Sequence, residues 1–286
     1  MNLEHIALKR YLDKVESNMK KWIKSAAGKV TIILVLLCIV MFATTMIINK
    51  NVNVSKESIS LINNILIGLA TNLLGIVVTI SFVQYFLDKQ DLENEKKEEI
   101  AKIKRYDKYM EILINLYLRN YIALSTRITD RRESNVEDAF NHKFMLSDMA
   151  DMYKPSLFIN EDYFVSTIEL FFQSEERLND YMLKMLENID FKYNETLCDI
   201  IQDFVIESAT CNVRGQILGN RHKINGNKML SDDVVNNMLD DSVNWIEMYE
   251  KGELFNNIMW PYIVFYYSIQ EQVKRIKCYK EYMNGL

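Results

Sequence analysis

The chain has 286 residues, of which 49% are hydrophobic, so it can form a packed core and is neither disordered nor fibrous. It contains only two prolines and eight glycines, which is too few turn residues for a β-sandwich or barrel. We therefore expect an all-α fold, with two N-terminal transmembrane helices, a helical stalk and a cytoplasmic helical bundle.

The net charge of −5 is unevenly distributed along the chain. Residues 1–108 carry 16 Lys/Arg and 11 Asp/Glu, a net charge of +5, whereas residues 109–286 carry 18 and 28, a net charge of −10. Nonspecific binding to a phosphate backbone requires clustered cations. No nucleic-acid partner is therefore expected for the acidic C-terminal part.

Residues 1–27 have the pattern of a basic amphipathic helix beside the membrane. Apolar residues recur there at spacings of three and four, and lysines and Arg10 occupy the rest of the helix surface. Such a helix would lie on anionic lipid headgroups or bury its apolar stripe against the acidic domain, and the sequence does not choose between these alternatives. The apolar residues are Leu8, Leu12, Val15, Met19 and Trp22.

Two uncharged apolar runs predict a transmembrane hairpin over residues 28–87. Residues 30–48 contain nineteen residues without a charge, which as a helix would cover about 28 Å of hydrocarbon. Residues 61–87 form a second run of twenty-seven uncharged residues. The competing interpretation of the first run is a cleaved signal peptide, but the run is longer than the usual apolar segment of such peptides.

The positions of the Lys and Arg residues predict the orientation of this hairpin. Seven of them precede the first span, two lie between the spans, and seven follow the second span between Lys89 and Lys108. Cytoplasmic flanks carry the excess of positive charge. We therefore expect a multi-pass protein of the cell inner membrane, in contact with the lipid bilayer and with both termini in the cytoplasm.

A stripe of small and polar residues lies on one face of the second span. The stripe, with spacings of four, three and four, consists of Gly68, Asn72, Gly75 and Thr79. Small residues allow close helix approach, and an Asn amide needs a hydrogen-bond partner away from lipid. The favoured interpretation is packing against the first span through Cys38, Ala43 or Thr44. The alternative is a homo-oligomer, or a pore, in which Asn72 lines the interface.

A charged helical stalk is predicted over residues 88–108. It contains no Gly or Pro, and the pairs Glu93–Lys97 and Glu98–Lys102 have helix-stabilising spacing. Apolar residues then recur at spacings of three and four to about Thr126, which fits either a coiled coil between copies or the first helix of the domain.

Residues 109–286 are expected to form an acidic all-helical cytoplasmic domain. Five further helical patterns follow within it, approximately at 135–153, 161–188, 195–218, 232–251 and 257–283. The aromatic residues of the last helix are expected to form core contacts, because its cations appear only later, at Lys274, Arg275 and Lys277.

Two groups of residues in this domain are candidate ligand sites. Four acids at i, i+4 spacing form either a solvated helix face or a weak metal site: Glu195, Asp199, Asp203 and Glu207. The glycine-containing basic loop 214–228 is either an ordinary exposed loop or a site for an anion, although its spacing matches no phosphate-binding loop. Its cationic residues are Arg214, Arg221, His222, Lys223 and Lys228.

No established catalytic motif is present. The sequence contains no GxSxG, HExxH or GK[ST] pattern, and its four cysteines lack the spacing of a zinc site. No cofactor and no catalytic residue are therefore assigned, and a non-enzymatic role is favoured over an enzymatic one.

The hairpin and stalk resemble those of poorly characterised bacterial two-transmembrane proteins, some of which are associated with phage defence and abortive infection. The resemblance rests on two spans, a short outer loop, the second-span sequence LATNLLGIVVTISFVQYFLDK and a charged helical stalk, over about residues 28–105. It implies a membrane effector whose cytoplasmic domain senses a trigger and whose spans perturb the membrane.

Two hypotheses follow from the sequence. In the first, the chain is a membrane-anchored non-enzymatic interaction or effector protein that oligomerises through the second span, in a bacterial defence or stress role, with a protein partner for its cytoplasmic domain. In the second, it is a membrane-tethered enzyme or a sensor that binds a nucleotide or another small anionic ligand at the 214–228 loop.

Overall fold

A computed structural model describes residues 26–50, 56–131, 136–160, 163–220 and 230–286. The amphipathic helix predicted within residues 1–27 lies outside the described residues, apart from the start of the first helix. The chain divides into two compact units, Met1–Glu95 and Lys96–Leu286. The described part is all-α apart from one short β-hairpin, which confirms the predicted fold class.

The first unit contains helix α1, Ala26–Lys50, and the beginning of helix α2, Lys56–Leu124. The segments Gly28–Ile48 in α1 and Ile59–Leu124 in α2 are long and apolar enough to cross a membrane, by length and composition. Few of their apolar side chains are buried within the chain. Such large exposed apolar surfaces are typical of helices that contact lipid or a partner.

Helix α2 is continuous for 69 residues, because no Gly or Pro interrupts it after Gly75. The second unit begins at Lys96, so it includes residues that the sequence assigned to the stalk. Glu99 and Ile103 are buried in this unit, because Glu99 bonds to a distant backbone and Ile103 joins the hydrophobic core. The solvated part of the stalk is therefore shorter than 88–108.

Glu99 binds the two residues that precede helix α4, Glu195–Thr210. Its carboxylate accepts hydrogen bonds from the Tyr193 backbone N–H, at 3.1 and 3.2 Å, and from the Asn194 amide, at 2.8 Å. The Asn194 amide oxygen in turn accepts a bond from the Tyr282 hydroxyl at 2.8 Å. A carboxylate at a helix N-terminus satisfies free N–H groups and the helix dipole.

The chain after α2 departs from the predicted helix at 135–153. Two short 3₁₀ helices, Val136–Phe140 and Leu146–Asp151, stand there instead, preceded by a third at Ile128–Asp130. His142 lies between Val136–Phe140 and Leu146–Asp151 and bonds to the end of α2. Its carbonyl accepts from the Tyr121 hydroxyl at 3.3 Å, and its ring Nε2 lies 3.2 Å from the carbonyl oxygen of Ser125, which directly follows α2. These tertiary bonds hold the residues between the two 3₁₀ helices against α2, in place of the predicted α-helix.

A β-hairpin replaces the beginning of the helix predicted at 161–188. Strands β1, Pro155–Asn160, and β2, Tyr163–Ser166, pair antiparallel with Phe158 opposite Phe164. Helix α3, Thr167–Asn188, begins only after β2, where the Glu169 carboxylate accepts a bond from the Ser166 backbone N–H at 2.8 Å. The helix start is thus fixed by a capping interaction.

The remaining helices enclose one hydrophobic core. After α4 come α5, Arg214–Gly219, α6, Leu230–Glu250, and α7, Trp260–Asn284. The helix predicted at 195–218 is interrupted between Thr210 and Arg214 and forms α4 and α5. Aromatic side chains from four helices meet in the core, and those fully buried are Tyr117, Phe171, Phe204, Tyr262 and Tyr279. Of the aromatic residues expected in the core from the last helix, Tyr262 and Phe265 are buried, whereas Trp260 is exposed.

A buried polar network crosses this core. The Tyr117 hydroxyl donates to the Gln272 amide oxygen at 2.7 Å, and the Gln272 amide nitrogen donates to the Glu175 carboxylate at 2.7 Å. The Ser208 hydroxyl donates to the same carboxylate oxygen at 3.0 Å. Buried polar groups stabilise a fold when every member of the network has a partner.

Removing the Tyr117 hydroxyl should destabilise the domain. The substitution Tyr117→Phe leaves the buried Gln272 oxygen without this donor, and such a loss costs about 1–3 kcal/mol of unfolding free energy. The matched control is Tyr109→Phe on the same helix, because Tyr109 is exposed. Urea denaturation of the full-length protein in detergent, followed by tryptophan fluorescence, measures the unfolding free energy of both variants. Equal losses in the two variants would contradict the role of the network.

Candidate functional site

The stripe of the second span does not pack against the first span. Helix α2 faces α1 with the opposite side, where the Cys38 thiol lies 3.6 Å from the Ala70 carbonyl oxygen and both residues are buried. The stripe residues are all exposed: Gly68, Asn72, Gly75 and Thr79. Cys38, which the sequence named as a packing residue, thus contacts α2 at Ala70 and not at the stripe, and Leu66 and Leu73 are half-buried on the same side as Ala70.

Asn72 is the polar group of this stripe that lacks a partner. The Thr79 hydroxyl donates to the Gly75 carbonyl at 2.9 Å, and the nearby Thr71 hydroxyl donates to the Ile67 carbonyl at 2.8 Å, so both are satisfied within the helix. Among the described residues, no hydrogen bond reaches the Asn72 amide. An unsatisfied amide in hydrocarbon is costly and favours association with a second polar group.

The two glycines of the stripe leave open space beside the helix. A Cβ atom added at Gly68 or Gly75 would meet nothing within 4 Å. These glycines are therefore not required by packing inside the chain. Glycine at such positions allows the backbone of another helix to approach closely.

The acidic row on α4 lies mostly in solvent. Glu195, Asp199 and Asp203 are exposed, and Asp203 is paired with Arg275 at 2.9 Å. Within the described part of the chain, no group of three metal-binding side chains is arranged to hold an ion. The solvated-face interpretation of Glu195, Asp199, Asp203 and Glu207 fits this arrangement.

The first cation of the basic loop, Arg214, forms ion pairs with two carboxylates of α3. The Arg214 guanidinium lies 3.4 Å from Glu175 and 3.0 Å from Glu176, and it also covers the Phe172 ring at 5.3 Å. Arg214 thus joins α5 to α3 through ion pairs with two carboxylates, of which Glu175 is buried and Glu176 exposed. The other predicted residues, Arg221, His222, Lys223 and Lys228, lie outside the described residues.

A cationic cavity that the sequence did not predict lies elsewhere in the domain. It has a volume of about 540 Å³ and opens between α2, residues 139–144 and α7. Tyr121, Phe144 and Tyr266 form its floor, and lysines with a glutamine and a histidine form its rim. The rim consists of His142, Lys143, Gln270, Lys274 and Lys277.

Tertiary contacts hold the floor of this cavity in place. The Tyr266 hydroxyl donates to the Phe144 carbonyl at 3.2 Å, and the Phe144 ring meets the rings of Tyr266 and Tyr121 edge-on at 5.1 and 5.7 Å. The His142 ring is parallel to the Phe144 ring at 6.1 Å. A signal for this site was present in α7, where Tyr266, Gln270 and Lys274 recur at a spacing of four.

Burial raises the pKa of Tyr121 from 10.0 to about 12, with a smaller contribution from Tyr266. Burial likewise raises the pKa of Tyr117. A raised pKa means that the tyrosine hydroxyl keeps its proton to a higher pH in the folded state than in the unfolded chain. The resulting stabilisation is complete below pH 10 and is lost as pH rises toward the folded-state value.

The stability of the domain should therefore fall as pH rises from 10 to about 12. A Tyr121→Phe variant cannot ionise at this position, so its stability should fall less steeply over the same interval. Urea titrations at successive pH values, with tyrosinate absorbance recorded in parallel, measure both effects. Identical slopes for the variant and the wild type would contradict the assignment.

Comparison with protein-family models, curated proteins and solved structures finds no match to this chain, so its function is argued from its own residues.

Proposed function

We propose that this chain is a membrane-anchored, non-enzymatic interaction or effector protein that self-associates through the exposed stripe of α2. The carrying observation is that Asn72 lies on the face of α2 turned away from α1, without a hydrogen-bond partner among the described residues. A second copy that presents the same face would supply the missing partner, since two Asn amides can each donate and accept.

The composition of the helix around Asn72 supports this assignment. The apolar side chains of α1 and of residues 59–87 of α2 are mostly exposed, as expected for helices in contact with lipid. Gly68 and Gly75 flank Asn72 on the same face with open space beside them. Close backbone approach and one buried polar pair are the usual means of helix association in a bilayer, where apolar burial gives no net gain.

The proposed location is the cell inner membrane, with both termini in the cytoplasm and the loop between the spans outside. The distribution of Lys and Arg supports this orientation, with seven before the first span, two in the loop and seven after the second span. The resemblance to bacterial two-transmembrane proteins supports a defence or stress role, in which association of the spans would perturb the membrane.

The second hypothesis, an enzyme or sensor that uses the 214–228 loop, is less well supported. Arg214 is the described cation of that loop, and its charge is neutralised by Glu175 and Glu176. The first hypothesis therefore accounts for more of the described residues.

Removing the stripe should dissociate the assembly. The double substitution Asn72→Leu with Gly75→Leu deletes the polar group and fills the open space beside the helix. The matched control, Ile76→Leu with Val78→Leu, changes exposed apolar residues of the same helix. Mass photometry in nanodiscs should show oligomers for the wild type and the control, and monomers for the stripe variant.

A mass distribution that is the same for all three proteins would contradict self-association through the stripe. If the wild type depolarises a bacterial membrane upon expression and the stripe variant does not, the effector role is supported; equal depolarisation by both would contradict it.

The orientation can be tested by cysteine labelling of intact spheroplasts. A membrane-impermeant maleimide should label an Asn53→Cys variant, because the loop is proposed to lie outside. The control Lys97→Cys should be labelled only after the membrane is permeabilised. The reverse pattern would show that the termini are external.

A further inference from the structure

The cavity between α2, residues 139–144 and α7 is a concentrated positive site in an acidic domain. Lys143, Lys274 and Lys277 are exposed at its rim, and no carboxylate is among the described residues that line it. Within the described part of the chain, Lys143 and Lys277 have no ion-pair partner. Lys274 contacts Glu271 at 3.3 Å, but both side chains are exposed, and such pairs contribute little.

These lysines are therefore available to an external anion. The ammonium group of lysine binds phosphate as a compact point charge. Three of them around one opening create a local positive potential, although residues 109–286 carry a net charge of −10.

The floor of the cavity is suited to a planar apolar group. The Tyr266 ring is half-buried and its hydroxyl donates to the Phe144 carbonyl, so Tyr266 presents ring carbon to the cavity. Phe144, which packs edge-on against this ring, and Tyr121 are buried. Aromatic rings stack on bases irrespective of sequence. Gln270 is exposed at the rim without a hydrogen-bond partner in the described residues, and its amide offers one donor and one acceptor side to a base edge.

The geometry points to a binding site for a nucleoside phosphate, with the base over Tyr266 and the phosphates among Lys143, Lys274 and Lys277. The volume of about 540 Å³ lies within the usual range for small-ligand pockets. This inference goes beyond the proposed function and does not depend on how the spans assemble. It places an anionic ligand in this cavity and not at the 214–228 loop.

The test uses full-length protein in nanodiscs and isothermal titration calorimetry with the four common ribonucleoside triphosphates. At least one of them should bind, and adenosine and inorganic tripolyphosphate should each bind at least about tenfold more weakly, because each offers only half of the contacts. Absence of binding by all four triphosphates would overturn the proposal. Equal affinity for tripolyphosphate would also overturn it, since the aromatic floor would then contribute nothing.

A matched pair of variants tests the location. The triple substitution Lys143→Gln, Lys274→Gln and Lys277→Gln removes three exposed charges and should weaken binding about tenfold or more. The control triple, Lys108→Gln, Lys184→Gln and Lys251→Gln, removes as many exposed charges elsewhere in the domain and should keep the wild-type affinity. Equal losses in both triples would show a nonspecific charge effect and overturn the site.

A Tyr266→Leu variant tests the floor separately from the rim. It should lower the affinity for the triphosphate while leaving the weak affinity for tripolyphosphate unchanged, since only the base contacts this ring. Unchanged triphosphate affinity would overturn the proposed position of the base. Unfolding midpoints of all variants, measured in the same buffer, identify any loss that arises from misfolding.

Discussion

Burial of one stripe of helix α2 is the interaction on which the second unit depends. Ile103, Met110, Ile114 and Tyr117 recur along this helix at helical spacings and are fully buried. The other helices of the unit form a core around this stripe, and the Tyr279 hydroxyl of α7 donates to Asp107 beside it at 3.0 Å. The earlier part of the same helix has no comparable core, so its apolar side chains are exposed.

The features that were predicted well from the sequence are those determined by residues close together along the chain. Apolar runs, helical spacing and the absence of Pro and Gly led to the all-α fold and the two apolar helices, because these signals act within a few turns of one helix. The β-hairpin was missed because its strands are only six and four residues long. One local signal was overlooked: Ser166 followed three residues later by Glu169 marks the true start of α3.

The sites were harder to predict because they depend on residues that are distant in sequence. Arg214 belongs to a basic loop by composition, but its partner Glu175 stands 39 positions earlier and becomes visible only in the fold. The cationic cavity joins Lys143 to Lys274, which no local pattern connects. The spacing of Gly68, Asn72 and Gly75 shows that these residues share one helix face, but the sequence could not show that Ala70 faces the first span instead.

If the two apolar helices lie in a bilayer as proposed, the open face at Gly68 and Gly75 has a consequence for the lipids around them. In the absence of a partner, acyl chains must fill the groove beside these glycines, and a bulky hydrocarbon chain packs there less well than a complementary helix surface. The proposed association through this face would then be a competition between protein and lipid for the same groove. Its strength should follow bilayer thickness and acyl-chain composition, since these set how well lipid fills the groove and how far the helices tilt.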